Sequence, residues 1–140
     1  MEERILIVEN GKGSARAGSC SDVLHDQGYR VEKATDGAEA FAKISSHPPD
    51  VVILDAREPQ LGSIEWCRRI KADTATRDVK VVIMTASGEW GRVFEAFAAG
   101  CDDYMVDPID RTELALKMKE LLKFSHLRAG ITRATVKGTL

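Results

Sequence analysis

The sequence predicts an α/β domain in which a parallel sheet lies between two layers of helices. Short apolar runs alternate with longer segments whose apolar residues recur at helical spacing. The short runs are continuously apolar, which is typical of strands that are buried on both faces. Strands that alternate with helices pair in parallel through right-handed crossovers, so a three-layer α/β/α arrangement follows. The length of 140 residues suits one such domain.

Five apolar runs are expected to form the strands, because each is rich in β-branched or aromatic residues and is bounded by polar or turn residues. In chain order they cover residues 5–8, 29–34, 51–54, 79–84 and 104–106.

Five helices are expected between and after these strands, from apolar spacing and from the residues at their ends. In chain order they are residues 14–28, entered through Ser14 and left at Gly28; a helix opened by Asp36-Gly37 and stopped by Pro48-Pro49; residues 64–72; a helix from Trp90 to Gly100; and a last helix marked by Leu114 and Met118 that reaches Leu127.

The charge is distributed unevenly along the chain. Residues 1–110 contain 13 basic and 20 acidic side chains, whereas residues 111–140 contain 7 basic and 2 acidic ones. The domain is expected to cover residues 1–127, with 128–140 as a linker or tail. An acidic body argues against direct contact with nucleic acid.

The chain is expected to work in the cytoplasm. No apolar run reaches the ~20 residues that a membrane-spanning helix needs, and the first residues do not resemble a signal peptide. The three cysteines, Cys20, Cys67 and Cys101, are widely spaced and odd in number. They are expected to be reduced thiols in the core.

Polar residues follow the ends of four of the predicted strands. Glu9 and Asn10 follow the first strand, Asp55 the third, Thr85 the fourth and Asp107 the fifth. In an open parallel sheet, ligands bind beyond the carboxyl ends of the strands. These oxygen-bearing side chains suit a hard cation such as Mg²⁺. Taken alone, Asp55 is equally well interpreted as a cap for the following loop.

The ordered set resembles the receiver domain of bacterial response regulators, over residues 4 to about 125. In that family two acids follow strand one, a phosphoaccepting Asp follows strand three, a Ser or Thr follows strand four, and a Lys-Pro pair follows strand five. The supporting matches are Asp36-Gly37-Ala38-Glu39-Ala40, Pro59, Cys67-Arg68-Arg69-Ile70-Lys71 and Gly100-Cys101-Asp102-Asp103-Tyr104. The resemblance implies a flavodoxin-like doubly wound sheet with strand order 2-1-3-4-5, and a cis peptide bond at Asp107-Pro108.

The resemblance also implies a phosphorylation site. Asp55 would accept a phosphoryl group from a sensor histidine kinase or a phosphotransfer protein. Thr85 would contact that group, and Tyr104 would rotate inward as Thr85 moves. Mg²⁺ would be held by Glu9, Asn10, Asp55 and the backbone carbonyl of Arg57.

The resemblance further implies a regulatory domain rather than an enzyme, with at most self-dephosphorylation. An effector domain or partner protein would bind the face formed by helix four, strand five and helix five, and a homodimer is a further candidate assembly. The aromatic stripe from Trp90 to Phe97 is expected mostly to cover the sheet, although an exposed Trp90 would suit that face.

Two positions depart from the family. Asn10 replaces the second acid, and Asp107 replaces the Lys. The usual three acids and one Lys carry a net charge of −2, whereas Glu9, Asp55 and Asp107 carry −3 with no cation. Like charges oppose the arrival of a phosphoryl group. Bound Mg²⁺, Lys12 or the Arg57 side chain are the candidates to offset them.

Three hypotheses for the function therefore stay open. The first is a switch phosphorylated on Asp55. The second is a degenerate receiver that acts as an interaction module independently of phosphate, because Asp107 replaces the Lys. The third, a nucleotide-binding domain, rests on Gly11-Lys12-Gly13-Ser14 after strand one. It is the weakest, since Gly-x-Gly-x-x-Gly fails at Arg16 and the P-loop pattern fails at Leu6.

Overall fold

The computed structural model describes residues 3–9 and 14–123, with the backbone alone for residues 14–19 and Gln60. These ranges contain the five expected strands and five expected α-helices in the expected order. They are β1 (Arg4–Val8), α1 (Ser14–Asp26), β2 (Arg30–Ala34), α2 (Gly37–Ser46), β3 (Val51–Asp55), α3 (Ser63–Ala72), β4 (Lys80–Ala86), α4 (Trp90–Ala98), β5 (Asp103–Asp107) and α5 (Arg111–Leu122). The predicted end of the last helix at Leu127 and the tail 128–140 lie outside the described residues.

All four strand pairings are parallel, and the strand order is β2-β1-β3-β4-β5. This confirms the flavodoxin-like order. The order reverses between β1 and β3, so their carboxyl ends lie at the point where ligands bind in such sheets. Val8 pairs with Leu54, and Asp55 pairs with Met84. The polar residues that follow the central strands therefore lie side by side on one edge.

The sheet has an apolar core on each face, as its continuously apolar strands predict. Alternate residues of β3 enter the two cores, with Val52 and Leu54 on one face and Val51 and Ile53 on the other. The first face is covered by α2, α3 and α4, and the second by α1 and α5. The three cysteines are buried free thiols, as the sequence predicts. None of the helices in the described ranges is long and apolar enough to cross a membrane.

The glycine of the Asp36-Gly37 motif has a packing role. The Asp36 side chain accepts a hydrogen bond from the backbone N–H of Glu39 and caps α2. A Cβ atom at Gly37 would lie 1.9 Å from Nε1 of Trp66. The indole ring of α3 therefore occupies the space that any side chain at position 37 would need.

The aromatic stripe of α4 corrects one expectation. Trp90, Phe94 and Phe97 are 63%, 79% and 47% exposed, so the expectation that the stripe mostly covers the sheet is wrong. The helix instead packs on the sheet through Ala96 and Ala99, which are buried on its opposite side. Helical spacing identifies an apolar face, but it does not show whether that face meets the sheet or the solvent.

Candidate functional site

The carboxyl edge of the sheet brings together most of the polar residues singled out from the sequence. Glu9, Asp55 and Thr85 are 4%, 2% and 0% exposed, and Asp107 ends β5 beside them. The pairing of Ala86 with Asp107 places β5 next to the end of β4. Asn10 and Lys12 lie outside the described residues. The edge is therefore a cluster of three acids and one hydroxyl, in which Asp107 is partly exposed and the other three side chains are buried.

The Asp55 carboxylate is held by its near neighbour Arg57. The guanidinium donates from Nε to Oδ1 and from Nη2 to Oδ2, each at 2.9 Å. The backbone N–H of Arg57 also donates to Oδ1 at 2.9 Å. Ser63 Oγ donates to the backbone carbonyl of Asp55 at 2.7 Å, which fixes the loop after β3. Both carboxylate oxygens thus accept charge-assisted hydrogen bonds.

The same guanidinium reaches Asp107. Its Nη1 atom lies 3.1 Å from Asp107 Oδ1, an ion pair without the alignment of a hydrogen bond. The Arg57 side chain is 7% exposed. Its hydrogen bond with Asp55 raises the pKa of the guanidinium, against the lowering effect of burial. Arg57 therefore stays charged and bridges the two acids.

This contact changes the charge balance inferred from the sequence. The three acids alone carry −3, and of the candidates named from the sequence to offset them, the Arg57 guanidinium lies between Asp55 and Asp107. With it, the cluster of Glu9, Asp55, Asp107 and Arg57 carries −2, the same charge as the family's usual set.

Glu9 is the least satisfied acid of the cluster. Its Oε1 lies 3.8 Å from Nζ of Lys33 at the end of β2, and its Oε2 has no hydrogen-bond partner among the residues described. Burial raises the pKa of Glu9, and the negative charge of Asp55 adds to this, while Lys33 lowers it. Sequence reasoning missed Lys33, although the register that pairs Val8 with Ala34 brings the two strand ends together.

Thr85 and Tyr104 connect the edge of the sheet to the surface of α4 and α5. The Thr85 hydroxyl donates to the backbone carbonyl of Met105 at 3.4 Å, across β4 and β5. The Tyr104 ring packs edge-to-face on Phe97, with ring centroids 5.5 Å apart. Lys117 Nζ lies 5.7 Å from the tyrosine ring and 3.0 Å from Asp103 Oδ1. The tyrosine thus rests between side chains of α4 and α5.

Comparison with known proteins places this arrangement in a family. The family model for the response regulator receiver domain matches residues 5–119. The chain belongs to the response-regulator receiver domains. It is 34% identical over 127 residues to the response regulator MprA of Mycobacterium ulcerans, which is 91% of this chain and 53% of that protein. It is 31% identical over 120 residues to the DNA-binding dual master transcriptional regulator RpaA of Synechocystis, covering 86% of this chain and 49% of that protein. The chain thus spans about half the length of these curated relatives.

Solved structures agree with the fold. A putative response regulator from Chloroflexus aurantiacus is 28% identical with a TM-score of 0.82, covering 88% of this chain and 99% of that one. The receiver domain of the sensor histidine kinase PA1611 from Pseudomonas aeruginosa is 27% identical with a TM-score of 0.77, over 88% of this chain and 99% of that one. That domain has a magnesium ion coordinated in its active-site cleft.

The cis peptide bond implied by the receiver-domain resemblance is present at Asp107-Pro108. At position 107 a hydrogen-bond acceptor that pairs with Arg57 stands where the family has the donor Lys.

The donor set of this receiver domain fits Mg²⁺ in kind, because it consists of carboxylate oxygens with a buried Glu9 Oε2 that lacks a partner among the described residues. Across residues 3–9 and 14–123, however, no group of three or more His, Cys, Asp and Glu side chains could hold a metal ion. A full ligand set would need Asn10 and the Arg57 carbonyl in addition to Glu9 and Asp55. The Asp55 oxygens are already bonded to Arg57.

Proposed function

We propose that Asp55 accepts a phosphoryl group from a sensor histidine kinase or a phosphotransfer protein, and that phosphorylation changes the binding of a partner. The observation that carries this proposal is the position of the Asp55 carboxylate, buried at the end of β3, with the buried Thr85 at the end of the neighbouring strand. A carboxylate held in a fixed position near a hydroxyl suits phosphoryl transfer, in which alignment supplies much of the catalysis.

The proposed transfer needs one free oxygen of Asp55. That oxygen attacks the phosphorus of a phosphohistidine, and a P–O bond forms as the P–N bond breaks. The histidine nitrogen keeps the electron pair, and the product is an acyl phosphate on Asp55. The Thr85 hydroxyl, which now donates to the Met105 carbonyl, would instead donate to a phosphoryl oxygen. Tyr104 would then turn inward into the space that Thr85 leaves.

A divalent cation would be held by Glu9, Asn10, Asp55 and the backbone carbonyl of Arg57. When bound, Mg²⁺ would supply neutralisation of the acids and of the phosphoryl oxygens. The domain itself would act as a regulator and would catalyse at most its own dephosphorylation.

The proposed output surface is formed by α4, β5 and α5. It carries the exposed side chains Trp90, Phe94, Phe97 and Leu116. Phe97 contacts Tyr104, so movement of the proposed switch residue would change this surface directly. An effector domain or separate partner protein would bind there, and a homodimer through the same surface is the other candidate.

The proposed domain covers residues 1–127, with residues 128–140 as a linker or tail. The net acidic charge of residues 1–110 supports a domain that does not itself contact nucleic acid. The free thiols Cys20, Cys67 and Cys101 support a cytoplasmic location.

Intact mass measured after incubation with acetyl or carbamoyl phosphate and Mg²⁺ tests the acceptor role. The wild type is expected to gain one phosphoryl group, and Asp55→Asn is expected to gain none. Asp22→Asn, an exposed acid on α1, is the matched control and should behave as wild type. Absence of uptake from small donors and from a kinase, or uptake that persists in Asp55→Asn, would reject the proposal.

A degenerate receiver is the second candidate. It is favoured by the two oxygens of Asp55 that already accept hydrogen bonds, and by Asp107 in place of the Lys. In that case partner binding would be the same for the wild type, for Asp55→Asn and in the presence of a phosphodonor. The switch hypothesis requires a difference among the three.

A further inference from the structure

The bridging position of Arg57 gives the unusual Asp107 a role. One guanidinium binds both oxygens of Asp55 through Nε and Nη2, while its third nitrogen, Nη1, lies against Asp107. The side chain of Arg57 is almost fully buried in this position. A planar guanidinium held at three nitrogens has little freedom, because each contact fixes the orientation for the others.

We propose that Arg57, anchored by Asp107, is a built-in latch that competes with a divalent cation for the Asp55 carboxylate. This inference rests on the proposed function in so far as Asp55 is the acceptor. It assigns to Arg57 and Asp107 a joint role: a positioned counter-ion that occupies the Asp55 oxygens and so opposes metal binding there.

The competition follows from the hydrogen-bond inventory. An ionised carboxylate has two oxygens, and Arg57 binds both of them with its side chain and one of them with its backbone N–H. Oδ1 accepts two hydrogen bonds and Oδ2 accepts one, so a cation that ligates Oδ1 must displace a hydrogen bond. A cation that takes the remaining lone pair of Oδ2 lies beside the positive guanidinium, which repels it. The second acidic ligand is not blocked in this way, because Glu9 Oε2 is buried and lacks a hydrogen-bond partner in the described residues.

The latch predicts the size of the effect on metal binding. Loss of one or two charge-assisted hydrogen bonds opposes metal binding by about tenfold or more in affinity. Removal of Arg57 should therefore tighten Mg²⁺ binding by about that factor. Arg57→Lys keeps the charge but loses the paired hydrogen bonds, so it should give a smaller gain.

The Asp107 variant separates a latch from simple electrostatics. Asp107→Asn makes the site less negative, so electrostatics alone predicts weaker Mg²⁺ binding. The latch predicts the opposite, because Arg57 loses its anchor and leaves Asp55 more readily. The expected order of Mg²⁺ affinity is wild type, then Asp107→Asn and Arg57→Lys, then Arg57→Ala.

The experiment is titration of the full chain with MgCl₂ in a calorimeter, at constant ionic strength and without phosphate. Arg68→Ala is the matched control, since it removes one arginine that is paired with Glu65 on the exposed side of α3. It should bind Mg²⁺ as the wild type does. Asp55→Asn combined with Arg57→Ala should lose the gain in affinity, because the released ligand is then absent.

Three results would overturn the latch: no tighter binding in Arg57→Ala, weaker binding in Asp107→Asn than in the wild type, or tight binding that persists without Asp55. Circular dichroism shows whether each variant folds. If Arg57→Ala unfolds, Arg57→Lys and Asp107→Asn decide. Since the readout is metal binding, failure of phosphoryl uptake with the expected metal affinities would reject the acceptor role and leave the latch standing.

Discussion

Two regions depart from ordinary packing in opposite ways. One is the acceptor edge, the carboxyl edge of the sheet with Glu9, Asp55, Arg57, Thr85 and Asp107, and the other is the α4-β5-α5 surface. At the acceptor edge, the charged side chains of Glu9, Asp55 and Arg57 are buried. On the α4-β5-α5 surface, the large apolar side chains of Trp90 and Phe94 are exposed. Buried charge and exposed apolar surface are the informative exceptions in a folded protein. The difference teaches that this receiver domain pairs the Asp55 and Arg57 charges within the fold but leaves the Trp90 and Phe94 side chains exposed to solvent.

The two regions are joined by β4 and β5. Ile83 pairs with Tyr104, and Thr85 pairs with Val106 two residues along. Thr85 belongs to the acceptor edge, whereas Tyr104 contacts Phe97 on the α4-β5-α5 surface. Only the two adjacent strands and the contact between Tyr104 and Phe97 therefore separate Thr85 from the α4-β5-α5 surface.

Thiol labelling should show the largest effect. It compares how well the acceptor edge and the α4-β5-α5 surface protect their buried cysteines from a reagent. Burial raises the pKa of Cys20, near the acceptor edge, to about 12 and that of Cys101, between α4 and β5, to about 11. Because the thiolate is the reactive form, native labelling at pH 8 should be slower than labelling in guanidinium chloride, on the order of a thousandfold at Cys20 and a hundredfold at Cys101. Ellman's reagent gives both rates.

The same raised pKa values give the free energy of unfolding a pH dependence of definite sign. The native thiol pKa values are raised, so from about pH 9 upward the unfolded chain loses thiol protons that the native chain keeps. The free energy of unfolding should therefore fall as pH rises above 9. Rapid native labelling of Cys20 alone would show that the acceptor edge opens while the α4 side stays closed.

Arg57→Ala should have the next largest effect and would break the internal charge balance of the acceptor edge. It leaves Asp55 buried without its counter-ion, so the free energy of unfolding should fall by about 3 kcal/mol in EDTA. Asp55→Asn in the same chain should recover most of that loss, since no buried charge then remains to be paired. Urea denaturation measures both. Additive losses in the double variant would contradict the coupling of these two side chains.

Much of the fold could be predicted from the sequence because its signals are local. The continuously apolar run at 51–54 and the Pro48-Pro49 pair define β3 and its start without reference to distant residues. The alternation of strands and helices then predicts the layers. The strand order came from the family resemblance, since local pattern does not say which strands are neighbours.

The residues of the acceptor edge could be predicted from the sequence, but the contacts between their side chains could not. Strand ends indicated Glu9, Asp55, Thr85 and Asp107, because parallel strands end at one edge. The sequence indicated the Arg57 side chain as one candidate to offset the acids. Its bridge from Asp55 to Asp107 depends on a side-chain rotamer and on the loop after β3, and neither has a sequence signature. The two-residue spacing from Asp55 was the available hint, since an Asp side chain commonly accepts from the backbone N–H two residues on.

Phe97→Ala should have a moderate effect and sharpens the description of the α4-β5-α5 surface. Phe97 is about half exposed and packs edge-to-face on Tyr104. Loss of that contact and of the partial burial should lower the free energy of unfolding by about 1.5 kcal/mol. The fluorescence or NMR signals of Tyr104 should change as well. An unchanged Tyr104 environment would mean that the ring contact does not position the tyrosine.

Phe94→Ala should have the smallest effect on stability. Phe94 lies on the same stripe of α4 as Phe97 but is 79% exposed, so its removal should change the free energy of unfolding by less than about 0.5 kcal/mol. Its effect should appear instead in association with a partner or a second copy, measured by sedimentation velocity with and without a phosphodonor. A loss of stability as large as that of Phe97→Ala would show that the exposed stripe supports the fold, because a residue kept for a partner contributes little to the isolated domain.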